Sequence, residues 1–462
     1  MDTNNVDINN TSDIDINDKN NISKSDSNNE VDMSSGSLLK KIIVFSIPLM
    51  LSGILQLLYN AADTIVVGRY AGSTALAAVG STGSLINLII NLFMGLSVGT
   101  SVLVAQYYGA RDKKNVSEVV HTAIGASVIF GIITSIIGIS MARLFLQAMG
   151  TPEEVIKHST LYMRIYFAGM PASMVYNFGS SILRAIGDTK RPLVFLSISG
   201  IVNVVLNLIF VIVFGMGVAG VAIATIIAQI ISAVLIILCL IKIDGCYRLK
   251  IHEIKIYRDK LVKIMKIGIP AGLQSSIFSL SNVIIQSSVN SFGKLAMAGN
   301  TAGSNIDGLI YIATNSFYHS SLAFTGQNVG AKKYERIGRV LGICIFLATA
   351  VGFSLGMLSY VFGKNLLSIY SPNDAQVIEY GMIRLRIMGL TYFTCGIMEV
   401  IVGSLRGMGV SLIPMFVTVI GVCGVRIGWI YTVFAMNRTL EVLYMSYPAS
   451  WVATASIHLI CY

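Results

Sequence analysis

KIIVFSIPLMLSGILQLLYNAAD, the run from Lys41 to Asp63, returns in altered form as KLVKIMKIGIPAGLQSSIFSLSN from Lys260 to Asn282. Each run is largely apolar, contains one proline and holds an asparagine near its end. The prolines and the asparagines are both 222 positions apart: Pro48 with Pro270, and Asn60 with Asn282. A shared spacing of this kind predicts that the chain contains two copies of one unit.

The same spacing returns far downstream. Leu183–Gly187 (LRAIG) corresponds to Leu405–Gly409 (LRGMG), and Pro192 to Pro414, again 222 positions apart. Between these anchors, Gln106–Arg111 (QYYGAR) corresponds to Gln327–Lys332 (QNVGAK) at a spacing of 221. Chance could explain one such match but not a nearly constant spacing across half the chain, so we infer that the two copies span almost all of it.

Composition places both copies in a membrane. Of the 462 residues, 54% are hydrophobic and 12% are charged, and the mean hydropathy is +0.73, whereas soluble domains carry about 25% charged residues. Eight of the 23 acidic residues fall within the first 37 positions, which leaves 15 for the other 425. Because a charge at the centre of a membrane helix costs about 2.5–3.5 kcal/mol, this depletion indicates a protein that crosses the bilayer many times.

Twelve segments are long and apolar enough to span a bilayer as helices. They cover about 42–67, 79–107, 119–146, 160–182, 193–214, 217–241, 262–289, 299–325, 337–362, 378–403, 412–435 and 440–461. A β-barrel would show alternating polarity, whereas these segments are apolar on every side. The predicted fold is therefore an all-α membrane protein with two parallel six-helix repeats, 38–242 and 262–462, related by a pseudo-two-fold axis along the membrane normal.

Basic residues predict the orientation of the helices. Alternate loops divide into one set with 21 Lys and Arg residues and an opposite set with six. By the positive-inside rule both termini lie in the cytoplasm of a multi-pass cell-membrane protein, and the segment 243–261 is a basic cytoplasmic linker between the lobes. The net charge of +10 is thus a topology signal rather than a sign of nucleic-acid binding. Residues 1–37 are predicted to be a disordered acidic tail.

Several classes of function are disfavoured by missing motifs. The chain has no GxxxxGK[ST] nucleotide loop and no HExxH, and its six cysteines form no CxxC. Paired aspartates for magnesium, as in a membrane transferase, and a repeated selectivity loop, as in a channel, are also missing. A cleft between two similar lobes favours a secondary transporter that works by alternating access. We therefore predict a transporter rather than an enzyme.

The sequence resembles the multidrug and toxic compound extrusion (MATE) family over about 38–462. The resemblance depends on Asn60–Thr64 (NAADT), the small-residue run Ala75–Gly80, the Gln106–Gly109 motif with its basic loop, and the LRxxG motifs at Leu183 and Leu405. It implies antiport of amphipathic, often cationic, organic compounds against H⁺ or Na⁺, by a chain that works as a monomer without a cofactor. A lipid-linked oligosaccharide flippase of the same superfamily is the alternative.

The resemblance also implies a cation-coupling site in the first lobe. Its residues here are Asp63 on the first helix, Asn203 and Asn207 on the fifth, and Thr225 on the sixth. The family often has Asp where this chain has Asn207, so the site carries one formal charge, which favours the proton over sodium. Counting helix rise from the predicted outer ends places all four residues at similar depth, roughly 8–16 Å down.

A second group of polar residues lies in the predicted span 299–325 and in the tenth span. Asp307, Asn315 and His319 form a polar band that could line a substrate or proton path or serve as a helix-packing network. Glu399 could line the same path. Alternatively, it could neutralise one of three buried or nearby cations, Arg386, Arg406 or Arg426.

Overall fold

The computed structural model describes residues 31–370 and 374–462. Within these residues the chain is helical and forms no β-strand. The first 30 residues of the predicted acidic tail lie outside the described residues.

Six helical spans make up the first repeat. They are α1 (Leu38–Val66, continued by a π-helical turn, Val67–Ala71), α2 (Ser73–Gly109), α3 (Lys113–Ala148), α4 (Glu153–Ala168 and Met170–Ile186), α5 (Lys190–Leu208, continued by a π-helical turn, Ile209–Val213) and α6 (Gly217–Lys242). A short 3₁₀ turn, Ile251–Glu253, lies in the segment that follows α6.

Six further spans make up the second repeat. They are α7 (Arg258–Asn290), α8 (Lys294–Gly330), α9 (Glu335–Val361), α10 (Ala375–Arg384, a π-helical turn Leu385–Gly389, and Leu390–Gly407), α11 (Leu412–Thr418, a π-helical turn Val419–Gly424, Val425–Tyr431 and Val433–Met436) and α12 (Leu440–Cys461). A short helix, Gly363–Tyr370, lies between α9 and α10. The predicted all-α, twelve-helix, two-repeat fold is confirmed.

Nine of these spans, counted among the described residues, are long and apolar enough to cross a membrane: α1, α2, α3, α5, α6, α7, α9, α10 and α11. The other three differ for separate reasons. Span α4 is divided at Gly169 into two shorter helices, α8 carries many polar residues along its length, and α12 alternates apolar with hydroxyl and aromatic residues. All twelve nevertheless occupy the positions at which the sequence predicts helices.

Several helices extend beyond their predicted ends. Span α2 begins at Ser73 rather than near 79, directly after Gly72, whose φ of 88° turns the chain between α1 and α2. Span α3 begins at Lys113 rather than near 119, because Asp112 accepts a hydrogen bond from the Asn115 N–H and caps the helix. Polar residues can continue a helix past the apolar window, so hydropathy alone places the ends too far inward.

The repeats meet through the backbones of α2 and α7. Gly95 and Gly99 of α2 face Gly268 and Gly272 of α7, both pairs at the GxxxG spacing that allows helices to pack closely. A Cβ added at Gly95 would lie 2.2 Å from the Gly272 nitrogen, and one at Gly272 would lie 2.1 Å from the Leu92 carbonyl oxygen. The two helices therefore contact each other backbone to backbone at these glycines.

The corresponding contact between α1 and α8 is made by serines. The hydroxyls of Ser46 and Ser320 lie 2.7 Å apart and are both buried. The repeats keep the same register elsewhere, since Thr189 donates to the Phe45 carbonyl at 3.1 Å and Ser411, 222 positions later, donates to the Ile267 carbonyl at 2.7 Å. The contacts therefore reproduce the spacing found in the sequence.

The stretch that precedes α1 packs against both repeats, so the predicted disordered tail does not extend to residue 37. Met33 is fully buried, and its carbonyl accepts a hydrogen bond from Asn328 at 3.1 Å. Lys333 donates to the Ser34 carbonyl at 2.8 Å, and the Val31 N–H donates to the Gly187 carbonyl at 3.4 Å. A short polar stretch can thus be held by backbone contacts that composition does not reveal.

The basic segment between the repeats is fixed on α3. The Lys250 N–H donates to His121 Nε2 at 3.1 Å, and the Tyr257 N–H donates to the Thr122 hydroxyl at 3.1 Å. The segment also ends earlier than predicted, because α7 starts at Arg258 instead of 262.

Candidate functional site

A cluster of polar side chains joins α1, α5 and α6 in the first repeat. Asn207 Nδ2 donates to Asp63 Oδ1 and lies 3.4 Å from Asn203 Oδ1. Asn203 Nδ2 in turn lies 3.4 Å from the hydroxyl of Thr225, which donates to the Val221 carbonyl at 3.0 Å. The structure therefore brings together all four residues of the coupling site implied by the resemblance.

Local helix geometry positions these side chains. Asn203 and Asn207 are four residues apart and share one face of α5, and they are 5% and 0% exposed. The close approach of α1 to this face depends on Gly200, where a Cβ would lie 1.8 Å from the Tyr59 ring. Both α1 and α5 change to π-helical turns a few residues beyond Asp63 and Asn207, a departure from regular winding that is frequent at functional sites.

The cluster contains a carboxylate with neutral partners. Among the described residues, no Lys, Arg or His nitrogen lies within 4.0 Å of the half-buried Asp63 carboxylate. Asn207 Oδ1 is buried and has no hydrogen-bond partner within residues 31–370 and 374–462. Buried hydrogen-bond acceptors without a partner are costly. A proton could bind the carboxylate, and a small hard cation could be coordinated by the carboxylate together with the amide and hydroxyl oxygens.

Two tyrosines at this cluster were not singled out from the sequence. Tyr162 and Tyr166 of α4 lie close enough to Asp63 to interact with it electrostatically, and their ring centroids are 6.1 Å apart. Their spacing of four residues places both rings on one face of α4. That spacing was visible in the sequence, but it does not say which helix the face meets.

Asp307 lies apart from the other members of the predicted second group. It is 2% exposed and accepts a hydrogen bond from Arg384 Nε at 2.8 Å. Arg384 also donates to Asn300 Oδ1 at 2.7 Å, and the Tyr444 hydroxyl donates to the same oxygen at 2.9 Å. Asp307 is thus part of a buried ion pair between α8 and α10 with its own hydrogen-bond network.

Asn315 and His319 lie further along α8 and do not join that network. Asn315 Nδ2 is 3.5 Å from the Tyr311 hydroxyl, and the His319 ring packs edge-on against Tyr318 with centroids 4.9 Å apart. The predicted polar band is therefore divided into a buried ion pair and a separate, half-buried polar surface.

Glu399 makes no close ion pair with Arg386, Arg406 or Arg426, so the neutralisation that the sequence allowed as one alternative does not occur at contact distance. Arg406 instead donates to the Tyr318 hydroxyl and to Gln274 Oε1, each at 2.7 Å. Arg386 lies 3.9 Å from Glu441, and Arg426 contacts Asn282 and Ser450. Among the described residues, Glu399 has no cationic nitrogen within 4.0 Å, but it lies near enough to Arg406 for the two charges to interact.

Comparisons with known proteins agree with this architecture. The MatE family profile matches residues 48–209 and 270–432, one match in each repeat. The chain is 28% identical over 434 residues to a probable multidrug resistance protein, YoeA, of Bacillus subtilis, covering 91% of this chain and 92% of the relative. It is 24% identical over 380 residues to a FAD transporter of Shewanella oneidensis, covering 81% and 82%.

A solved structure has the same fold. It is described as the outward-facing conformation of a multidrug resistance MATE family transporter of the MOP superfamily, and it superposes with a TM-score of 0.87 at 24% identity. The superposition covers 94% of this chain and 96% of that chain.

Proposed function

Because the chain belongs to the MatE family of multidrug efflux transporters, we propose that it exports amphipathic organic compounds in exchange for a cation bound at Asp63. The family consists of transporters rather than enzymes, and the long apolar helices of this chain indicate that it lies in a membrane. The flippase alternative is not favoured, since the matched profile and the relative YoeA point to multidrug transport.

The observation that carries the proposal is the pairing of Asp63 with Asn207. A half-buried carboxylate in a membrane helix usually indicates a functional site. The Asp63 carboxylate accepts a hydrogen bond from the neutral Asn207 amide, whose own oxygen has no hydrogen-bond partner among the described residues. Binding of a proton or a cation would neutralise the carboxylate. A cation would also give the Asn207 oxygen a partner.

Exchange requires that the ion and the substrate favour different states of the protein or compete for one state. Asp63 lies on α1, which contacts α5 within its own repeat and α8 of the other repeat. Neutralising Asp63 would change the contact between α1 and α5 and thereby bias the packing of α1 between the lobes. We favour the proton as the coupling ion, because Asp63 brings one formal negative charge to the cluster.

The coupling role is tested by Asp63→Asn, with the exposed Asp244→Asn as the matched control. We expect Asp63→Asn to fold and insert normally but to abolish gradient-driven ethidium efflux from vesicles, while Asp244→Asn exports at the wild-type rate. Efflux by Asp63→Asn at the wild-type rate would show that Asp63 is structural.

The two amides are tested by binding to purified protein. In the wild-type protein, substrate affinity should depend on pH if the proton is the coupling ion and on sodium concentration if sodium is, so varying each separately distinguishes the two ions. The Asn203→Ala/Asn207→Ala variant should lose that dependence. Unchanged affinity and ion dependence would make the amides helix-packing groups and move the site elsewhere. Adding FAD beside ethidium in the same assay tests whether the substrates are organic cations.

The direction of export depends on orientation, which the basic loops predict. Single cysteines in 111–117 and 244–258 should be protected from an impermeant thiol reagent added to intact cells, whereas one at Gly215 should react. Reversed labelling would contradict both the cytoplasmic placement of the termini and the outward direction of transport.

A further inference from the structure

Arg426 is a buried cation that forms no ion pair with any acidic residue in 31–370 or 374–462. It lies on α11, is 0% exposed, and has no Asp or Glu oxygen within 4.0 Å among the described residues. Its Nη1 donates to Asn282 Oδ1 at 2.9 Å and its Nε to the Ser450 hydroxyl at 3.2 Å, while Nη2 is buried and has no hydrogen-bond partner in the part of the chain that the structure describes. An isolated charge inside a protein is costly, so other groups must stabilise it.

Aromatic rings supply that stabilisation. The guanidinium carbon lies 4.2 Å from the centroid of Tyr447, 5.2 Å from that of Phe278 and 5.9 Å from that of Trp451. Cation–π contacts are stronger when they are desolvated, as they are here, than when they are exposed to water. The three rings with Asn282 and Ser450 form an aromatic cage, and the cage encloses one positive charge.

The cage is built from the repeat counterparts of the helices that form the Asp63 cluster. Asn282 is on α7, Arg426 on α11, and Tyr447 on α12, which correspond to α1, α5 and α6. Tyr447 is 222 positions after Thr225. Asp63 and Asn207 are 144 residues apart, and so are Asn282 and Arg426. The second pair of positions follows the first by 219 residues, which differs from the repeat spacing of 222 by about one helical turn.

We propose that Arg426 is a tethered cation that takes, in the second lobe, the place held in the first lobe by the coupling ion. The proposal rests on the proposed function, in which Asp63 binds that ion. In the first lobe an acid and amides leave a positive charge to be supplied from solution. In the second lobe the side chain of Arg426 supplies it permanently, so the packing of α7, α11 and α12 is independent of the ion gradient and coupling is confined to the first lobe.

The test is chemical rescue of purified Arg426→Ala. This variant should melt at a lower temperature than wild type, and millimolar guanidinium chloride should raise its melting temperature at constant ionic strength. Urea, a neutral molecule of the same planar shape, should not. The matched control is Arg386→Ala, which removes an exposed arginine from α10 and should show no response to guanidinium.

Two results would overturn the proposal. Equal rescue by urea would mean that the cage needs filled volume rather than charge, and a response to neither compound would mean that no cation site is present. If Arg426→Ala does not fold, Arg426→Lys and Arg426→Met are compared, and a Met variant at least as stable as the Lys variant contradicts the proposal.

The result is separable from the role of Asp63. The double variant Asp63→Asn/Arg426→Ala should be rescued by guanidinium to the same extent as Arg426→Ala alone. Rescue in both variants, together with normal export by Asp63→Asn, would leave the cage cation established and the proposed coupling role of Asp63 wrong.

Discussion

The side chain of Gln106 in the first repeat donates a hydrogen bond of 2.9 Å to the carbonyl of Gly407 in the second. Gln327, the counterpart of Gln106, donates one of 2.8 Å to the carbonyl of Ala185, the counterpart of Gly407. Each glutamine thus crosses to the other repeat. These reciprocal bonds join the lobes at the end of the bundle where α2 and α8 terminate, the end that we propose faces the cytoplasm.

Removing both glutamines should open that end. In Gln106→Ala/Gln327→Ala each lost bond costs about 0.5–1.5 kcal/mol. The two together cost about 1–3 kcal/mol, which lowers the ratio of closed to open states by roughly 5- to 150-fold. Spin labels at Lys114→Cys and Tyr334→Cys should then report longer distances. The exposed Gln147→Ala should leave the distances unchanged, and unchanged distances in the double variant would contradict a role in closure.

Close backbone contact at the same end predicts a second effect. A Cβ at Gly330 would lie 1.8 Å from the Gln106 carbonyl oxygen, so Gly330→Ala should weaken closure by about 1–3 kcal/mol and reduce ethidium efflux. Gly338→Ala is the matched control, because a Cβ added at Gly338 would meet no side chain and no neighbouring backbone within 4 Å among the described residues. Equal efflux by the two variants would show that the lobes need not meet at Gly330.

The Asp307–Arg384 pair should be important for stability. Asp307→Asn leaves the buried Arg384 without its counter-ion, which typically costs about 3–5 kcal/mol and should lower the melting temperature markedly. Arg386→Met breaks the exposed contact with Glu441, which contributes about 0–1 kcal/mol. Melting temperatures of both variants measure the difference, and similar values would refute the structural role of the buried pair.

The stretch before α1 should detach at low pH. Partial burial alone would raise the pKa of Asp32, but hydrogen bonds from Ser35 and Ser34 and the charge of Lys41 lower it to about 2. Because the pKa is lowered, the ionised Asp32 side chain stabilises the attached state at pH values above its ordinary pKa of 3.8. This contribution is lost as the pH falls from 3.8 toward 2. A spin label at Ser37→Cys should become mobile over that range.

Asp32→Asn supplies the comparison for that titration. It mimics the protonated side chain, so the label at Ser37 should be mobile at every pH. A label that is equally immobile in Asp32→Asn and in the parent protein would show that the remaining contacts of Met33 and Ser34 hold the stretch without Asp32.

The sequence predicted the twelve helices because lipid demands long apolar segments, and it predicted the repeat because both copies keep their prolines and their LRxxG motifs in register. It did not predict helix ends, since residues such as Lys113 and Arg258 continue a helix outside the apolar window. It also did not predict that residues 31–37 are packed, because backbone carbonyls, not apolar side chains, make most of those contacts.

The sequence was least able to predict which side chains contact each other between helices. Helical periodicity places Asn203 and Asn207 on one face, but the resemblance, not the spacing, connected that face with Asp63. Arg384 was not singled out, although it neutralises Asp307 from 77 positions away. The sequence identified Glu399 and Arg426 as intramembrane charges and allowed them to pair, whereas the packing of α10 and α11 leaves each without an ion pair within 4.0 Å among the described residues.

The direct contact between α2 and α7 constrains how the lobes can move. Gly95, Gly99, Gly268 and Gly272 bring the two backbones into contact, so these four positions add no side chain that would have to change rotamer when the helices rotate against each other. The backbones already touch, so the lobes cannot approach each other further there. Motion between them is therefore confined to tilting about a pivot near the middle of the bundle, and any residue larger than glycine at these four positions would displace that pivot.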